Sequence, residues 1–128
     1  MTAMAKRATV LVEGNSMTPT YNAGDWLLAR WAEYSLASSA PAKLLHRLRI
    51  GNYIAVGDAV VIERAEQPGV YFVKRIADVK VERGRDSQVF VRSDNPEGTD
   101  SRTWGWLPLE TVKARVDCRV KRAKLTSL

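Results

Sequence analysis

Short stretches in which apolar and polar residues alternate recur along the chain, each bounded by Gly, Asp, Asn or Pro. A period of two puts every second side chain on one face, so these stretches read as short antiparallel strands and not as helices. Strands are predicted at Ala8 to Val12, Trp26 to Trp31, Ala59 to Arg64, Val70 to Val81, Gln88 to Arg92 and Lys113 to Val120. Two of them start alike, with Gly24-Asp25 ahead of Trp26 and Gly57-Asp58 ahead of Ala59, a turn in which glycine takes a positive φ without steric penalty. Glu66-Gln67-Pro68-Gly69 between two apolar runs predicts a hairpin. Residues 32 to 56 break the pattern: Ser35 to Pro41 resembles a linker, and Lys43 to Ile50 can form two turns of basic amphipathic helix. The leucines of that insertion, Leu44, Leu45 and Leu48, are expected to pack on the sheet, with a membrane surface or a partner as the alternative use. The expectation is one all-β domain over residues 1–128, an antiparallel and partly open barrel, with a basic insertion at about 32–56 and a solvated basic tail at 121–128.

Composition narrows the chemistry. A chain of 128 residues can bury a core without staples, and the single Cys118 and single His46 exclude a disulfide within the chain, a Cys-pair zinc motif and a multi-His metal site. No cofactor or metal is expected. The one imidazole lies in the basic stretch Lys43 to Arg49, which leaves little room for a Ser/His/Asp triad and makes lysine the available base. No apolar run reaches the length of a membrane span, and no apolar block follows Lys6-Arg7, so the chain reads as soluble and cytoplasmic. An excess of 20 Lys+Arg over 14 Asp+Glu gives +6, a weak pointer to anionic partners.

Three segments carry candidate chemistry. Glu13-Gly14-Asn15-Ser16-Met17-Thr18-Pro19-Thr20 follows an apolar strand, and Gly14-Asn15 allows a sharp turn that leaves the Ser16 hydroxyl at the strand's end with backbone N–H groups beside it. On its own, Ser16 reads first as a turn or cap serine, and only the other segments change that weighting. In the second segment, Val70, Phe72, Lys74 and Ile76 share one face of a strand while Arg75 points the other way. Lys74 is thus the one charge on an apolar face. Burial would lower its pKa and supply a neutral amine able to take a proton from a hydroxyl, whereas an edge position would let it reach water. The third segment, Ser93 to Arg102, is a polar loop in which Asp100 and Arg102 can pair, and in which Thr99 and Ser101 offer hydroxyls.

These three segments, in this order, resemble the type I signal peptidases and their relatives. GNSMTPT is similar to that family's nucleophile box S-M-x-P-T, YFVKRI to its general-base strand, and SDNPEGTDSRTWG to its later box G-D-N…S-x-D-S-R-x-[FYW]-G. The likeness covers roughly residues 10 to 116. It implies a signal peptidase or LexA-like β fold and a serine protease with a Ser/Lys dyad, Ser16 as nucleophile and Lys74 as base, and no metal. Asn15 and Met17 would then line the oxyanion site and cleft, and Thr99, Asp100, Ser101 and Arg102 would support the dyad. The sequence departs from the pattern in places. Gly14 stands where many members carry a hydroxyl, Ser93 replaces the glycine that opens the last box, and a shorter box leaves Thr99 as the hydroxyl expected to meet the lysine, since Gly98 cannot. The short form without an anchor is most similar to the maturation proteases of nickel-type superoxide dismutases, which implies a protein precursor as substrate and removal of its N-terminal propeptide.

Two other readings compete. A LexA-type self-cleaving domain uses the same dyad, yet only 15 residues precede Ser16, too few for a DNA-binding region and a cleavage loop. A non-catalytic basic module would use the positive charge and Trp26, Trp31, Trp104 and Trp106 on nucleic acid, although such tryptophans are more commonly packing residues, and no nucleic-acid partner is expected. Cys118, in an alternating strand, is expected to be a buried small hydrophobe.

Overall fold

The structure, a computed structural model, describes residues 6–82 and 86–124. Its main sheet has the order β1-β2-β9-β5-β6-β7-β8, formed by β1 (Lys6–Leu11), β2 (Trp26–Trp31), β5 (Ala59–Glu63), β6 (Tyr71–Lys80), β7 (Gln88–Arg92), β8 (Leu107–Pro108) and β9 (Val112–Lys121). All its pairings are antiparallel, and the sheet curls into a half-barrel, as the period-two pattern requires. Two short strands, β3 (Ser35–Leu36) and β4 (Tyr53–Ile54), form a separate parallel pair that brackets helix α1 (Ala40–Arg47). A second helix, α2 (Ser101–Trp104), is one turn long, with Asp100 as its N-cap. Among the described residues, no helix is long and apolar enough to cross a membrane.

Strand β5 explains how the sheet is held. Val60 and Ile62 pack into a cluster with Ile76, Val89, Val91 and Leu107, while Ala59 and Val61 pack on the other face with Leu27, Ala29 and Val116. A strand covered on both faces has no polar positions to alternate with, hence the unbroken Ala-Val-Val-Ile run. Each such aliphatic side chain contributes about 1.5–3 kcal/mol on burial. The β5–β6 hairpin sets Val60 opposite Lys74 and Ile62 opposite Phe72, which places Lys74 on the face of the larger cluster.

The insertion differs from expectation. Helix α1 starts at Ala40 instead of Lys43, because Ser39 caps it by accepting the Ala42 N–H at 3.2 Å and Pro41 fits its first turn. Its inward side is Ala42, and His46 fixes it to the sheet through Asp58 at 2.7 Å. Leu44 and Leu48 therefore point outward, 55 % and 58 % exposed, and do not pack on the sheet. Cys118 is also exposed instead of buried, and the reason is a bulge: Leu28 pairs with Cys118 but Ala29 with Val116, so Asp117 is an extra residue that shifts the alternation. The expected basic tail is tied down at its start, where Lys121 ends β9 and the Ala123 N–H donates to the buried carboxylate of Asp25 at 2.7 Å; residues 125–128 of that tail lie outside the described residues.

Candidate active site

The first loop of the site leaves the sheet after β1. Val12 extends the pairing through bonds with Asp25 and Gly24, and Gly14 then turns the chain with a φ of 73°, a value that side-chain-bearing residues rarely adopt. Beyond the turn Met17 is fully buried, and its sulfur accepts the Asp94 N–H at 3.4 Å. Met17 is thus the anchor beneath the loop, not an open wall of a cleft. With the chain pinned there and the Asn15 carbonyl accepting from Thr18 at 2.9 Å, Ser16 stands half-buried at the crest. Among the described residues, the amides of Ser16 and Met17 meet no acceptor, so both N–H groups are free to serve a ligand.

Lys74 lies at the centre of the site, only 2 % exposed. Its ammonium nitrogen sits 5.7 Å from the ring centres of both Phe72 and Trp104, which stack against each other at 5.3 Å. Burial in this aromatic wall pushes its pKa down from the ordinary lysine value, and the negative charge of Asp100 opposes that shift in part. The hydrogen bond that Lys74 makes goes to Ser93 Oγ, at 2.9 Å, and not to Ser16.

Ser93 and Ser16 face each other across Gly98. A methyl group built on Gly98 would come within 2.6 Å of Ser93 Cβ and 3.1 Å of Ser16 Cβ. The serine on the first loop, the serine that holds the lysine and the bare Gly98 therefore crowd one small space. The first loop is also stitched to the later one directly, since the Asn95 N–H donates to the Ser16 carbonyl at 2.9 Å and its side-chain amide to the Asn15 carbonyl at 3.0 Å.

Two ion pairs hold the later loop. The Asp100 carboxylate, 1 % exposed, accepts from the Ser93 N–H at 2.7 Å, the Arg102 N–H at 2.9 Å and the Arg102 guanidinium at 2.9 and 3.0 Å. Burial alone would raise its pKa, but these donors and the positive charge of Arg102 hold it down to about 2. Arg102 also donates to the carbonyls of Pro96 and Gly98, fixing the loop's curvature. On the other side Arg75 grips Asp94 with two bonds of 2.9 and 2.7 Å and reaches the Gly57 carbonyl at 2.9 Å.

Of the residues singled out from the sequence, Ser16, Lys74, Asp100 and Arg102 gather around Ser93 and Gly98. Thr99 does not touch the lysine: its carbonyl accepts the Ser93 hydroxyl at 3.3 Å, and its own side chain is exposed. The Ser101 hydroxyl accepts the Val91 N–H at 3.0 Å, so it ties the loop to β7 and makes no contact with the lysine either. The Arg75–Asp94 clamp escaped the sequence reading, although the period-two pattern does send Arg75 to the face opposite Lys74. Trp104 also lines a depression of about 340 Å³ with Glu63, Pro68, Trp106 and Glu110, so an open concavity adjoins the aromatic wall of the lysine. Among the described residues, no group of three or more His, Cys, Asp and Glu could hold a metal ion.

A family model described as "Signal peptidase, peptidase S26" matches residues 1–83, about two thirds of the chain and a span that contains both Ser16 and Lys74. Comparison with curated proteins finds no match.

Proposed function

The chain belongs to the signal peptidase family, a family of serine proteases, and we propose that it acts as a serine endopeptidase with Ser16 as nucleophile and Lys74 as general base. One observation supports this reading: a buried lysine with a lowered pKa bonds Ser93, which meets the half-buried Ser16 across Gly98, and among the described residues the Ser16 amide meets no acceptor. A lowered pKa leaves more of the amine neutral at a given pH than an ordinary lysine has, and the neutral amine can accept a proton.

The chemistry follows from the proton's path. The neutral Lys74 amine takes the Ser16 hydroxyl proton as Oγ bonds to the scissile carbonyl carbon, and the carbonyl electrons move to the oxygen. The amides of Ser16 and Met17, which meet no acceptor among the described residues, stabilise that oxyanion; one such donor is typically worth about 3 kcal/mol in the transition state. On collapse the C–N bond breaks, and the Lys74 ammonium returns the proton to the leaving amine. Lys74 then deprotonates a water, which hydrolyses the ester on Ser16. Asp100 and Arg102 shape the loop, and the charge of Asp100 partly offsets the lowering of the Lys74 pKa.

The substrate proposed is a protein precursor that loses a short N-terminal propeptide, with the precursor of a nickel-type superoxide dismutase as the specific candidate. The support is the likeness of the loop D-N-P…T-D-S-R-T-W-G to the proteases that mature such enzymes. Incubating the protein with that precursor and measuring the product masses tests it. A single new N-terminus, produced by the wild type and by neither Ser16→Ala nor Lys74→Met, is expected. Cleavage that persists in either variant overturns the dyad, and an intact precursor overturns the substrate.

A further inference from the structure

We propose that Ser93 is the residue that positions the Lys74 amine for proton transfer, and that position 98 is glycine because the space a side chain would need there is taken by Ser93. This rests on the dyad reading above and adds to it the means by which the base is aimed.

The argument begins with directions. The Ser93 hydroxyl donates its proton to the Thr99 carbonyl at 3.3 Å, so its lone pairs remain to accept an N–H from Lys74 at 2.9 Å. An sp³ amine with one N–H held can no longer spin freely about its last bond, which confines its lone pair to a narrow set of directions. The backbone of Ser93 is fixed in turn, because its N–H donates to the buried carboxylate of Asp100 at 2.7 Å. The orienting hydroxyl is therefore rigid at both ends.

Gly98 completes the device. Its φ is outside the left-handed range, so its backbone is one that any residue can adopt, and glycine is not required there for conformation. It is required for space. Any Cβ at 98 would lie 2.6 Å from Ser93 Cβ, a backbone-proximal atom that cannot swing away, and 3.1 Å from Ser16 Cβ. One hydroxyl-bearing side chain fits beside the base, entering from position 93 or from position 98 but not from both.

The test uses Ser93→Ala, Ser93→Thr, Ser93→Gly, Gly98→Ala and the exchange Ser93→Gly with Gly98→Ser. One readout is the titration of Lys74 followed by carbon NMR in protein labelled at lysine; the other is kcat and KM against pH for cleavage of the precursor. Ser93→Ala removes an acceptor of the charged amine, so the Lys74 midpoint moves further down while kcat falls about 10- to 100-fold with KM unchanged. Ser93→Thr keeps the hydroxyl and restores most of that loss. Gly98→Ala lowers kcat, and the exchange recovers at least about tenfold over Ser93→Gly alone, a coupling that independent sites do not show. Should Ser93→Ala leave both midpoint and kcat unchanged, or Ser93→Thr behave as Ser93→Ala does, the positioning role is wrong. The two failures separate cleanly: a wild type that cleaves nothing while Ser93→Ala still shifts Lys74 sinks the protease reading alone, and a wild type that cleaves while Ser93→Ala shifts nothing sinks this inference alone.

Discussion

Replacing Asp100 by Asn keeps the shape of the side chain and removes its charge, and the structure sets what that costs. The carboxylate is buried and receives four bonds, from the Ser93 and Arg102 amides and from two nitrogens of the Arg102 guanidinium. An amide offers one acceptor oxygen in place of two and turns an NH₂ toward a donor, so at least one buried N–H loses its partner. The charge contribution can be worked separately. A carboxyl held at about 2 against an ordinary 3.8 contributes about 2 kcal/mol of stability, at roughly 1.4 kcal/mol per pKa unit. Because the folded pKa is the lower one, that stability is present above pH 4 and disappears as the pH falls from about 4 to about 2. Urea unfolding of the wild type and Asp100→Asn, measured at intervals between pH 2 and pH 7, should show a gap of about 2 kcal/mol or more at pH 7. That gap should narrow through the acid range as the wild type loses the contribution and the variant does not. Curves that coincide at pH 7, or that fall in parallel down to pH 2, would show that the carboxylate does not hold the loop as described.

Other substitutions probe the remaining contacts. Ser16→Ala should abolish cleavage with a change in unfolding free energy within about 0.5 kcal/mol by urea titration, since its hydroxyl holds nothing in place. Lys74→Met should also be inactive yet stay within about 1 kcal/mol of the wild type, because an apolar chain of similar length suits the wall of Phe72 and Trp104; a loss above about 3 kcal/mol would mean that the lysine is structural. Leu44→Ser with Leu48→Ser should leave the unfolding midpoint in place, as expected for side chains already in water. Cys118 should react with a thiol reagent in the folded protein at close to the rate of the unfolded chain, in keeping with its exposure.

Much of the sheet was legible because period-two alternation is a direct consequence of half-buried strands: the predicted Gln88 to Arg92 and Trp26 to Trp31 coincide with β7 and β2. Alternation also put Lys74 and Arg75 on opposite faces, and that placement is what the site depends on. What failed did so where a local rule yields to a tertiary one. Cys118 follows the alternation on paper, but the bulge at Asp117 has no signature in the residues themselves. Leu44 and Leu48 look like a buried stripe, yet the anchor of α1 is the pair His46 and Asp58, twelve residues apart, which no helical periodicity reveals. The two-residue strands β3, β4 and β8 are too short for any period to register. Within the site, motif order singled out Ser16 and Lys74, whereas the hydroxyl that meets the lysine was expected at Thr99 and lies at Ser93. The distinction turns on which side chain of the loop after β7 enters a crowded space, and only the three-dimensional path of that loop decides it.

The account stands or falls on whether the amine that titrates is the amine that sets the rate. Single-turnover cleavage should be measured against pH in the same buffer series used to follow the Lys74 carbon signal by NMR, assigned by its loss in Lys74→Met. The two midpoints should coincide, both below the ordinary lysine value of 10.5. A Lys74 that titrates at or above that value, or a rate that rises with a midpoint the lysine signal does not share, contradicts it.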